Sequence, residues 1–109
     1  MKNEEVMIFA NKFYDLKCAY YGVLFREKNT KTCFEKYQGW NASAEVIRDI
    51  MTRGIFHSVA TEAQVRMSHM FLDIEQRAME SEKAARQKSH TDHYLGELDD
   101  IFENYGFLE

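Results

Sequence analysis

The 109 residues contain no proline, although about five would be ordinary for a chain of this length. Without proline, helices have few obligatory stops, and the five glycines at 22, 39, 54, 96 and 106 become the main punctuation. Cysteine is also scarce. Cys18 and Cys33 have no metal-like spacing and are read as free thiols rather than as a disulfide. No two glycines fall at the spacing of a phosphate-cradling loop, which argues against a nucleotide enzyme. No run approaches the roughly 18 apolar residues that would cross a bilayer. The opening Met1-Lys2-Asn3-Glu4-Glu5 is acidic where a secretory leader is basic, so a cytoplasmic protein with no membrane association is expected. A net charge of −4 gives no reason to expect a generic binder of polyanions.

What the chain does have is apolar material at helical spacing. Ile, Leu, Val and Phe number 25, enough for a core in one domain spanning 1–109. In the first segment Val6, Phe9, Phe13, Leu16 and Tyr20 recur every three or four residues, with Met7, Ala10, Tyr14 and Tyr21 beside them. Glu4, Glu5, Asn11, Lys12 and Asp15 form the remaining polar strip. A helix so apolar is either central in a bundle or shared with another chain.

Asn29, Thr30 and Thr32 favour an end or bend of that helix. Asn41 is placed as the cap of a short second helix carrying Ala44, Ile47, Ile50 and Met51, with Gly54 as its stop. Thr61 and Gln64 have capping-box spacing and open the longest helix, about 62–88. Its stripe is Ala63, Met67, Met70, Phe71, Ile74, Ala78 and Ala85, and a sparse row of Val65, Leu72 and Met79 lies roughly opposite. A last helix, capped by Ser89 or Thr91, carries Leu95, Leu98, Ile101, Phe102 and Tyr105 and ends at Gly106 with Phe107 reaching back to Phe102. Ile55 to Val59 is read as a buried connector. The expected fold is all-α, a compact bundle of four or five helices.

Sites of chemistry are faint. His93, Glu97 and Asp100 share one helical face, but the paired motifs of helical metal sites are absent, and no metal, cofactor or catalytic residue is assigned. Cys18 sits among apolar helix residues and reads as core. Arg26, Lys28, Lys31 and Lys36 interleave with Phe25, Phe34, Tyr37 and Trp40, so Arg26, Lys28, Lys31, Lys36, Tyr37 and Trp40 form a candidate nucleic-acid surface. The plainer reading docks those aromatics on the bundle while the lysines face water. A helix-turn-helix over 42–72 is disfavoured because its connector is long.

The sharpest asymmetry is at the end. From Asp92 to Glu109 there are six acids and no lysine or arginine. Asp99, Asp100 and Glu103, with Phe102 among them, make a candidate docking face for a protein with a basic surface, a nucleoprotein included. Function is therefore expected to be stoichiometric and non-catalytic: an inhibitor or adaptor, such as a phage or mobile-element accessory factor blocking a host machine. The runner-up is a helical nucleic-acid-binding regulator using 25–40, and the third reading is a metal-dependent enzyme. A homodimer is expected from the surplus apolar surface of the first helix and the Val65, Leu72, Met79 row.

Overall fold

Acids in the first turn and a base in the last suit the dipole of the first helix, which begins with Glu4 and Glu5 and closes at Arg26. The computed structural model describes residues 3–26, 30–54, 61–86 and 98–107. Within them lie four α-helices: α1 (Asn3–Arg26), α2 (Thr30–Asp49), α3 (Thr61–Arg86) and α4 (Asp99–Asn104). A π-helical turn, Ile50–Gly54, extends α2. No strand is present among the described residues, and none of their helices is long and apolar enough to cross a membrane.

α1 packs along both α2 and α3 and is the central helix of the described bundle, although Ile8 stays exposed. Its buried row is Val6, Ala10, Phe13, Tyr14, Lys17 and Val23. This row runs between the two rows read from the sequence. Phe9 is 42% exposed as a result, while Leu16 is half-buried against the core. The polar strip Glu4, Glu5, Asn11, Lys12 and Asp15 is exposed as expected.

α3 supplies its share of the core from one face, with Met67, Met70, Phe71, Ile74 and Ala78 buried and Val65 and Leu72 left outside. Burying each large apolar side chain contributes about 1.5–3 kcal/mol. The rings of Phe13 and Phe71 meet edge to face, 4.9 Å apart at 78°, and join α1 to α3. Ala85, placed on the same stripe from its spacing, is exposed because it lies beyond the last buried residue of α3.

α2 differs from its expected form. It begins at Thr30 and not at Asn41, so 30–40 is helix and Gly39 lies inside it. A helix does begin at Thr30, and with no proline to prevent it α2 runs on through Gly39, at a cost near 1 kcal/mol for the internal glycine. Asn41 caps nothing; its side chain accepts a hydrogen bond from Lys17. At the end of α2 the Thr52 hydroxyl donates to the Arg48 carbonyl at 2.8 Å, in competition with the backbone ladder, where the π turn forms.

α4 is shorter than expected. Leu98 is its N-cap, with no side-chain cap, and the helix starts at Asp99. Asp99 and Asp100 suit a first turn. Its other end follows the sequence closely. Gly106 has φ +80°, its N–H donates to the Glu103 carbonyl at 3.1 Å, and the Phe107 N–H donates to the Phe102 carbonyl at 2.8 Å. Those two bonds are the Schellman stop, and Phe107 packs against the core as that motif requires. Residues 55–59, Ser89, Thr91 and Leu95 lie outside the described residues.

Candidate functional site

α4 is mounted on α3 by apolar and ionic contacts together. Leu98, Ile101 and Phe102 are buried. Phe102 is thus an anchor within the chain and presents nothing to a partner. Asp100 accepts two hydrogen bonds from Arg77, at 3.2 and 2.6 Å. That paired contact holds the Asp100 carboxyl below its usual range and raises the Arg77 guanidinium, although Asp100 stays 61% exposed. Tyr105 donates from its hydroxyl to Asp73, which pushes its pKa up to about 12. Asp99 and Glu103 are exposed, and no described cation pairs with either. Between α3 and α4 runs an open groove of about 230 Å³, lined by Asp73, Gln76, Arg77, Glu80, Asp100, Ile101 and Asn104.

The basic and aromatic segment is not one loop but the end of α1 and the first half of α2. Arg26 is exposed and its Nε donates to the Gly22 carbonyl at 3.2 Å, while Trp40 is exposed on α2. The backbone places Lys31, Lys36 and Tyr37 on α2; their side chains, and all of Lys28, lie outside the described residues. His93 and Glu97 also lie outside them, and Asp100 is committed to Arg77. Among the described residues no group of three histidines, cysteines or acids is placed to hold a metal.

Cys18 is a free, half-buried thiol. Burial pushes its pKa up to about 11, with a hydrogen bond from Tyr14 opposing and Glu82 and Asp15 adding to the rise, so the thiolate needed for nucleophilic work is suppressed.

The most elaborate polar constellation is one that spacing did not single out. Lys17 is buried in the middle of α1, and its Nζ donates to Asn41 Oδ1 at 2.6 Å and to Glu45 Oε1 at 2.7 Å, with Glu75 Oε2 at 2.9 Å. Arg48 donates from NH1 to Glu75 Oε1 at 2.9 Å and from NH2 to Glu45. Tyr21 donates to Glu75 Oε2 at 3.0 Å. Two cations meet two carboxylates, so the cluster is neutral, and no buried side-chain polar atom among the described residues lacks a partner. Lys17 and Arg48 also lie 5.6 and 5.7 Å from the Phe13 ring centroid.

Burial alone would raise both carboxyl pKa values. Hydrogen bonds from Lys17, joined by Arg48 at Glu45 and by Tyr21 at Glu75, outweigh it and hold both below the ordinary carboxylate range. The signal available in the sequence was register. Lys17 continues the 6, 10, 13 row, Glu45 follows the buried Ala44, and Glu75 lies four residues after Phe71. A saturated, neutral cluster of this kind has no spare base or acid for catalysis; it joins α1, α2 and α3.

Fold and site together define an all-α bundle with a buried ionic junction and an acidic C-terminal edge. Compared with known proteins, the chain matches no family model, and neither a curated protein nor a solved structure is similar to it.

Proposed function

We propose that this protein acts by stoichiometric, non-catalytic binding to a protein partner with a basic surface, as an inhibitor or adaptor in the cytoplasm. A phage or mobile-element accessory factor that blocks a host machine fits the same reading. The supporting observation is the mounting of α4: it is fixed from behind by Leu98, Ile101 and Phe102 and from the side by Arg77, so that the Asp99 and Glu103 carboxylates are held outward on a rigid support. Charges presented in this way accelerate encounter with a cationic surface and select against anionic ones, over a screening length of about 8 Å at physiological salt. Asp100 positions the helix, and Phe102 anchors it.

The test spares that anchor. Immobilised parent and D99K/E103K are challenged with bacterial lysate at low and moderate salt, and the retained proteins are identified by mass spectrometry. The parent is expected to retain a partner that salt releases, and the variant to bind it about tenfold more weakly or worse. Equal retention removes α4 from the reading, and retention of nucleic acid alone moves it to Arg26 and Trp40.

The same proposal includes a homodimer through the exposed apolar residues of α1 and α3. α1 leaves Ile8 and Phe9 exposed, 66% and 42%, and Val65 and Leu72, 48% and 55% exposed, form an outward row on α3. Sedimentation of the parent as a dimer and of V65K/L72K as a monomer is the expected result; a monomeric parent at tens of micromolar, roughly the range of weak self-association, excludes it.

A further inference from the structure

We infer that α2 is held shut by an ionic latch, Lys17 with Glu45, Glu75 and Arg48, and that neutralising the two carboxylates releases α2 while α1 and α3 stay packed. The argument begins from what each helix gives to the core. α3 buries Met67, Met70, Phe71, Ile74 and Ala78, and meets α1 through the edge-to-face contact of the Phe13 and Phe71 rings. Over 38–51, α2 and its π turn bury Ala44 and Met51, with Ile47 half-buried; the other inward positions, Asn41, Glu45 and Arg48, are polar and belong to the network. A stretch that buries two apolar side chains, against five on α3, occupies the lower end of local stability.

Charge then decides its attachment. With both carboxylates ionised, the buried Lys17 ammonium has two counter-charges; with both neutral it has none, and a lone buried charge is strongly unfavourable. Withdrawal of α2 exposes that ammonium to water without disturbing the contact between α1 and α3. The groups facing the junction are Lys17 and Tyr21 from α1, Glu45, Arg48 and Asp49 from α2, and Glu75 from α3. Access is direct: an open groove of about 390 Å³, lined by Glu45, Arg48, Asp49, Thr52, Ser68 and Leu72, runs between α2 and α3 beside the network. Opening also uncovers the face of Phe13 beneath Arg48, an apolar surface that the closed molecule hides.

Amide hydrogen exchange on the full chain, read by peptide mass, tests the latch. At pH 7, E45Q/E75Q is expected to exchange about tenfold faster than the parent over 38–51, with 6–17 and 67–78 within about twofold. K17M/E45Q/E75Q, which removes the buried charge as well, is expected to restore protection over 38–51. Unchanged protection in the double variant, equal acceleration in all three helices, or no recovery in the triple variant would each overturn the latch. If the double variant does not fold, the parent titrated downward in pH, corrected for intrinsic exchange, supplies the neutralisation: loss over 38–51 ahead of 6–17 and 67–78 supports release of α2, and simultaneous loss overturns it.

Discussion

Lys17 shows how far a single residue's environment departs from its type. A lysine on a helix is ordinarily a solvated cation with its stem along the surface, yet this one is buried on the same row as Val6, Ala10 and Phe13. Lys17→Ala leaves Glu45 and Glu75 with Arg48 as their only cation, and is expected to lower the unfolding free energy by about 3 kcal/mol in urea melts. Lys12→Ala, on the exposed strip of the same helix, should change it by no more than about 0.5 kcal/mol. Equal effects would contradict the burial of Lys17. Cys18 offers a second check at this scale. With its pKa pushed up to about 11 by burial, the native thiol should react with a thiolate-selective disulfide reagent at pH 7 at least tenfold more slowly than the same thiol in the urea-unfolded chain.

Among the elements, the two described glycines with space around them make opposite predictions. A Cβ at Gly39 meets nothing within 4 Å and its backbone is helical, so Gly39→Ala should stabilise by about 1 kcal/mol. Gly106 also has open space, but its φ of +80° strains any L side chain, so Gly106→Ala should destabilise by about 1 kcal/mol. Thermal melts measured together read both signs. A loss of stability in Gly39→Ala would contradict the open space at that position. The two positions also show what punctuation in a sequence conveys. Gly106 ends α4 because Phe107 and the buried Phe102 cooperate with it in a Schellman stop, whereas Gly39 is carried through α2.

For the molecule as a whole, the ionic junction sets a pH dependence whose sign follows from the lowered carboxyls. Glu45 and Glu75 have folded-state pKa values below their unfolded ones, so their contribution is fully present above the ordinary carboxylate value of about 4.3 and is lost as pH falls through the folded values. Asp100 is shifted in the same direction but is largely exposed, and solvent screening leaves its contribution small. Urea midpoints should therefore show no loss from these groups between pH 7 and pH 5 and a fall toward pH 3 that E45Q/E75Q lacks; a midpoint that rises from pH 5 to pH 3 would refute the assignment. The sequence by itself determined the all-α class, the buried stripe of α3 from Met67 to Ala78 and the stop at Gly106, because helical period and capping act between residues a few positions apart. Only the tertiary structure decided that Lys17 is inside, that Asn41 serves it rather than capping a helix, and that Asp100 belongs to Arg77. Those partners lie 24, 28 and 54 residues apart along the chain for Lys17 with Asn41, Lys17 with Glu45 and Tyr21 with Glu75. The free energy of a buried charge depends on which opposite charges the packing of three helices brings to it, and no local spacing encodes that choice.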